Sequence, residues 1–213
     1  HHSSPFVDRK LMWSLTPPVT RALILTCGLV YLLQVIFGDI LVVWFGLWPL
    51  GAEITGPGFR TGFLPWQLVT YSFLHGSLLH ILFNLLGLFM FGSDIERLFG
   101  RQRFLIYYFV SVVAAGITQL ITSAMMGGPA YPTIGASGGV FGLLLAFGLY
   151  FPRRTILLIF PPIPMPARVF VFVYAAIELY LGVTGTAQGI AHFAHLGGML
   201  GGFLMIYYWR RRP

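Results

Sequence analysis

The stretch "TIGASGGVFG", residues 133–142, sets one serine, Ser137, among Gly135, Ala136, Gly138 and Gly139. In a chain this apolar, such a wall of small residues has two physical readings. It lets something large approach the hydroxyl, or it lets a neighbouring helix pack against the backbone. Composition narrows the setting. Of 213 residues, 57% are hydrophobic and 9% charged, whereas a soluble domain carries roughly 25% charged residues. The chain therefore reads as an all-α polytopic membrane protein, and the useful count is of spans rather than of soluble domains.

Six membrane helices are expected, at about residues 20–38, 70–92, 103–124, 135–151, 167–184 and 190–209. Each approaches the ~20 apolar residues that cross a hydrocarbon core, the fourth and fifth being short. The breaks "GPGFRTGFLPW" (56–66), "MGGPAYP" (126–132) and "PPIPMP" (161–166) precede the second, fourth and fifth. Residues 1–4, "HHSS", read as a tag remnant. Residues 5–19 form a cytoplasmic N-terminal segment, 20–209 one membrane domain, and 210–213 a basic cytoplasmic tail. Arg9, Lys10 and Arg21 precede a helix that reads as retained, so no cleavable signal peptide is expected. The single cysteine, Cys27, excludes an intrachain disulfide.

Orientation follows from the cations. Arg9, Lys10 and Arg21 lie at the N-terminus, and Arg97, Arg101 and Arg103 between the second and third spans. Arg153, Arg154 and Arg168 lie between the fourth and fifth, and Arg210, Arg211 and Arg212 at the end. Arg60 alone falls on the other side, so with six spans twelve of thirteen cations share one face. The positive-inside rule places that face and both termini in the cytoplasm. The net charge of +7 then reports topology, and no nucleic-acid partner is expected. The connection 39–69 is too broken to span and too apolar to float in water. It is expected to dip into the outer leaflet, with Trp44, Trp48 and Trp66 as belt residues.

Polar residues stand where hydrocarbon should not tolerate them. "FLHGSLLHILFN" places His75, His80 and Asn84 at the start of the second span. Ser137 opens the fourth, and "AHFAHLGG" places His192 and His195 at the start of the sixth. At 1.5 Å per residue, Ser137 lies roughly 24 Å from Arg153, His195 roughly 22 Å from Arg210, and His80 roughly 21 Å from Asp94. In a core ~30 Å thick the three groups share one level, a few ångströms under the outer surface. Polar groups at such a depth call for partners and a function. Gly138 with Gly142, Gly197 with Gly201, and Gly198 with Gly202 form helix-packing pairs. Packing of the fourth span on the sixth would carry Ser137 to His195.

A hydroxyl needs an adjacent base to become a nucleophile. His195 can take the Ser137 proton and return it to a leaving amine. The backbone N–H of Ser137, with His80 and Asn84, can hold an oxyanion. Phe141, one turn below Ser137, can pack on the His195 ring. No carboxylate is expected beside His195, which argues for a dyad rather than a triad, and Glu178 has no evident partner. On this reading the small-residue wall makes room for substrate backbone and for the sixth helix.

"GASGG", "HGSLLHILFN" and "AHLGG" together resemble the rhomboid family of intramembrane serine proteases, and "ERLFG" after the second span fits as well. The resemblance covers about residues 20–209. It implies a bundle of six transmembrane helices with a membrane-dipping first loop, and a Ser137–His195 dyad with His80 and Asn84 as oxyanion holders. Gly135, Gly138 and Phe141 would support the site, and His75 matches a recurring histidine with a structural role. His195 rather than His192 fits H-x-x-G-x-x-x-G, through Gly198 and Gly202. Phe141 departs from a tyrosine of some relatives. The resemblance also implies a bacterial inner-membrane location, with the site open to the periplasmic or extracellular side. Substrates would be single-span or polytopic membrane proteins, cut near the outer end of a span. The oligomeric state is left open.

The alternative is a catalytically inactive scaffold of the same shape, which would lack serine or histidine; both are present. No H-E-x-x-H occurs, and neither metal nor cofactor is expected. The apolar inner halves of the helices speak against a transporter. The fifth span carries no catalytic candidate. With the loop "GVTGTAQGIA" (182–191) it suits a movable gate against the second, with Phe170 and Phe172 facing the seam.

Overall fold

The computed structural model describes residues 16–126, 131–157, 162–185 and 191–211. The tag remnant, Arg9, Lys10, Arg212 and the centre of the 182–191 loop lie outside the described residues. Helix α1 spans Pro18–Phe37 and is followed by a short helix, α2, Ile40–Phe45. A hairpin pairs β1 (Ile54–Gly56) with β2 (Phe59–Thr61), and α3 is a single turn, Gln67–Thr70. The remaining long helices are α4 (Leu78–Phe99), α5 (Arg101–Met126), α6 (Ser137–Tyr150), α7 (Ala167–Thr184) and α8 (His192–Arg211). A second hairpin, β3 (Thr155–Leu157) with β4 (Pro164–Pro166), joins α6 to α7.

Of these helices α1, α4, α5 and α7 are long and apolar enough to cross a membrane. α6 is apolar but short, and α8 intersperses two histidines and four glycines among its apolar residues. Their outer faces are apolar: Leu25, Leu29 and Leu32 of α1, Leu82 and Phe83 of α4, and Phe172 and Ile177 of α7 are exposed. Lipid accepts that surface at no cost, where water would not.

Two features depart from the sequence reading. The all-α expectation misses both hairpins. The first was legible in "GPG": Pro57 presets φ and Gly58, at φ +80°, takes the left-handed position of a tight turn. The second expected span begins eight residues late, at Leu78. Backbone satisfaction explains this. The Gln34 side chain accepts from His75 N (2.9 Å) and donates to His75 O (3.2 Å), holding that segment out of any helix. Ser77 then caps α4 by accepting from His80 N at 3.1 Å. At its far end α4 passes through a wider turn, Leu88–Gly92, and continues to Phe99. There buried Glu96 of "ERLFG" accepts from Val19 N, Thr20 N and Thr20 Oγ1 at 3.0, 2.7 and 2.8 Å. It thereby caps the N-terminus of α1, whose own preceding residue, Pro17, supplies no side-chain cap.

The connection 39–69 is folded around one buried amide. Gln67 Oε1 accepts from Trp48 N (3.3 Å) and Leu64 N (3.2 Å), while Nε2 donates to Trp44 O (3.4 Å) and Gly62 O (3.2 Å). At the other end of the molecule Asp94 binds Arg97 (3.3 Å) and Arg154 (2.7 Å). The guanidiniums of Arg103 and Arg210 lie over the rings of Trp209 and Tyr150. Cations that are distant in sequence thus collect at one end of the bundle.

Helix α5 is the central post. Its Phe104, Tyr107, Tyr108 and Val112 are fully buried, and α8 and α6 pack most extensively on it and on each other. Glycine permits this closeness. A Cβ at Gly198 of α8 would collide with the Gly138 carbonyl of α6, and one at Gly142 with Ser111 of α5. Tyr107 Oη donates to Gly142 O across the same contact at 2.6 Å. The small-residue wall therefore serves the third long helix as much as the last, a correction to the sequence reading. A Cβ at Gly138 would meet Ala115 and Tyr71, and one at Gly139 the Tyr108 ring.

Candidate active site

Ser137 is the first residue of α6, and two backbone anchors put it there. Thr133 and Leu47 exchange hydrogen bonds of 2.9 and 3.0 Å, and Gly135 N donates to Tyr71 O at 2.9 Å. The chain then turns at Gly135, φ +127°, a conformation open to glycine. A Cβ there would also lie 2.7 Å from His80 Nε2. Gly135 is thus required twice, by its backbone and by the histidine it faces. No side chain caps the α6 N-terminus, so its positive end is available to a developing anion.

His195 sits in the first turn of α8, buried, with Nε2 2.8 Å from Ser137 Oγ. For the hydroxyl to donate, Nε2 must be unprotonated and the ring proton must sit on Nδ1. Phe141 lies parallel to the imidazole at a centroid distance of 4.2 Å and 5° between planes. That stack fixes the ring from one side.

His80 and Asn84 stand one turn apart on α4. Gly76 N donates to His80 Nδ1 at 3.3 Å, which leaves the His80 proton on Nε2, the nitrogen beside Gly135. Asn84 is buried and donates one amide hydrogen to His80 O at 3.0 Å; its NH₂ carries a second. His80, Asn84, Gly135, Ser137, Gly138, Phe141 and His195 all line one cavity of about 1020 Å³. His75 is outside that lining. It packs its ring edge-on to His80 at 5.1 Å, with Nδ1 3.2 Å from Phe73 O.

The same cavity continues down between Phe83, Leu86 and Met90 of α4 and Phe170 and Tyr174 of α7. Phe170 stacks on Tyr174 at 4.6 Å. Phe172 does not face this seam. It is 77% exposed and borders a separate groove with Met199 and Phe203 of α8. Positions two apart on a helix differ by about 200° in azimuth, so both phenylalanines cannot face α4.

Sequence reasoning singled out Glu178 but found it no partner and gave it no role. It is buried on α7, and its Oε2 lies 2.6 Å from His192 Nδ1 and 3.0 Å from His195 Nδ1. The contact with His192 is a hydrogen bond; that with His195 has the distance but not the alignment. The expectations of no carboxylate near His195, and of no partner for Glu178, are corrected. A lone carboxylate in an apolar helix was the available signal, since hydrocarbon tolerates one only with a partner.

Residues 63–212 match the Rhomboid domain. The chain is 31% identical over 194 residues to the rhomboid protease GlpG of Yersinia pestis (strain Pestoides F) and to that of Yersinia pseudotuberculosis (strain YPIII). The alignment covers 90% of this chain and 62% of each relative. It is 35% identical over 140 residues to the rhomboid protease GluP of Bacillus subtilis, covering 65% of this chain and 25% of that protein. The chain thus spans less than two thirds of the length of these relatives.

Proposed function

The chain belongs to the rhomboid family, and from that premise we propose that it is a serine endopeptidase that cuts membrane-embedded segments of other proteins. The observation that carries this reading is the 2.8 Å contact of His195 Nε2 with Ser137 Oγ, in a cavity that also holds His80 and Asn84. Ser137 Oγ attacks the scissile carbonyl while His195 Nε2 takes its proton. The oxyanion is received by the Ser137 N–H at the α6 N-terminus, by His80 Nε2–H and by the free Asn84 amide hydrogen. His195 then protonates the leaving amine, and an acyl-enzyme on Ser137 remains. Water entering the cavity is deprotonated by His195, attacks the ester and releases the second fragment.

In this reading all six long helices cross a bacterial inner membrane, with both termini cytoplasmic and the site open to the opposite face. Supporting it, Arg97, Arg103, Arg154 and Arg210 gather at the end of the bundle opposite the α6 N-terminus. The folded 39–69 connection lies in the outer leaflet, with Trp66 exposed toward lipid headgroups. Labelling in proteoliposomes with a serine-directed phosphonate, alongside cleavage of a single-span substrate, tests the assignment. A protein that neither labels at Ser137 nor cleaves is a scaffold.

Loss of one oxyanion donor typically costs about 10²–10³ in rate. Asn84→Ala is therefore expected to be impaired but measurable, and His80→Ala slower still, because that change also removes the ring packed against Gly135 and His75. Unchanged turnover in both would leave them structural. Substrate helices enter between α4 and α7. Phe170→Ala thins that seam and is expected to raise the rate on transmembrane substrates several-fold, with little change at exposed Phe172→Ala. Equal effects of the two would place the entrance elsewhere.

A further inference from the structure

A carboxylate buried on an apolar helix is held in place by the donors that satisfy it. Glu178 has one hydrogen-bonded donor, His192 Nδ1 at 2.6 Å, and a second imidazole nitrogen, His195 Nδ1, 3.0 Å from the same oxygen, Oε2. We propose that Glu178 is a positioning residue for His195: it anchors the Nδ1–H edge of the base while His192 anchors the carboxylate. The proposal rests on the Ser137–His195 reading above.

The geometry supplies three parts of the argument. His195 can accept from Ser137 only through an unprotonated Nε2, which requires the proton on Nδ1, the atom facing Glu178. Phe141 restrains the ring from its face but says nothing about which nitrogen carries the proton; the carboxylate selects that tautomer. When Ser137 attacks, His195 becomes an imidazolium, and a fixed negative oxygen 3.0 Å from its Nδ1 stabilises that charge where water is largely excluded.

His192 completes the device. Its 2.6 Å hydrogen bond holds Oε2 on the side of His195, and His192 precedes His195 by three residues on the same helical face. The rings of the two histidines stand nearly perpendicular, at 87° and 6.4 Å, so both Nδ1 atoms converge on one oxygen without competing for the same direction. The missing alignment of the His195 contact fits a resting enzyme, because catalytic hydrogen bonds often tighten only when substrate is bound.

Measurement has to separate positioning from folding. Activity of each variant is divided by the number of sites that a fluorophosphonate labels at Ser137 once labelling has run to completion, so that unfolded protein drops out and a slower base does not. Glu178→Gln is expected to lower kcat per labelled site by about 10- to 10³-fold, with KM changed less than about twofold. Glu178→Asp, which keeps the charge on a shorter arm, is expected to recover part of that loss. Unchanged kcat per labelled site in Glu178→Gln, with only the labelled fraction or the melting temperature reduced, would make Glu178 structural and overturn the proposal. Should Glu178→Gln not fold, Glu178→Asp decides alone, and wild-type kcat per labelled site in it is the overturning result. Loss of wild-type activity on chelation, restored by zinc, would also overturn it, by making the three groups metal ligands. A wild-type protein that labels nowhere removes the Ser137–His195 reading itself, whereas unchanged kcat removes Glu178 alone.

Discussion

Ser137→Ala is expected to abolish cleavage of a model transmembrane substrate, with kcat reduced by about 10⁴-fold or more, while the protein still folds and inserts. The size of the effect follows from the chemistry. Without Oγ there is no nucleophile, and the oxyanion donors have no tetrahedral intermediate to stabilise. The small effect on folding follows from the contacts. The hydroxyl's hydrogen bond is to His195, whereas the position of the α6 N-terminus rests on Gly135 N with Tyr71 O and on Thr133 with Leu47. The melting temperature in detergent is therefore expected to stay close to that of wild type. Gel-based cleavage in proteoliposomes and phosphonate labelling check the first part. Normal turnover in this variant would end the assignment of Ser137.

The second large effect separates two histidines three residues apart. His195→Ala is expected to be as inactive as Ser137→Ala, because it removes the base 2.8 Å from Oγ and the ring stacked on Phe141. His192→Ala leaves that pair intact. It deprives Glu178 of its 2.6 Å donor, a hydrogen bond to a charged group worth about 1.5–3 kcal/mol. If all of that reached the transition state, the rate would fall by about 10- to 10²-fold. His192→Ala is therefore expected to retain readily measured activity, and the discriminating quantity is the ratio of the two rates. The reverse ranking would show that His192 is the base.

These effects also mark what each level of description contributes. Hydropathy, the segregation of cations and the motifs "GASGG", "HGSLLHILFN" and "AHLGG" are properties of residues taken singly or along one helix. They could be read directly, because transfer free energy and helical rise add residue by residue. From them came the helical membrane character, the approximate helices and the expectation that Ser137, His80 and His195 share one level. A shared level, however, fixes height and leaves rotation free. Which way each side chain points depends on the azimuth of its helix, set by packing of whole faces. That is why Gly138, Gly139 and Gly142 turned out to face α5, and why Phe170 and Phe172 parted to different surfaces. The start of α4 was likewise decided at a distance, by Gln34 of α1 holding the His75 backbone. Glu178 is the sharpest instance. Along α7 it has no partner, and it acquires two only because α7 leans its buried face on the first turn of α8. The sequence by itself determined the membrane character of this chain and which polar side chains stand near the starts of α4, α6 and α8. Only the tertiary structure decided which groups touch, because contact between helices is a property of their relative rotation and not of any one of them.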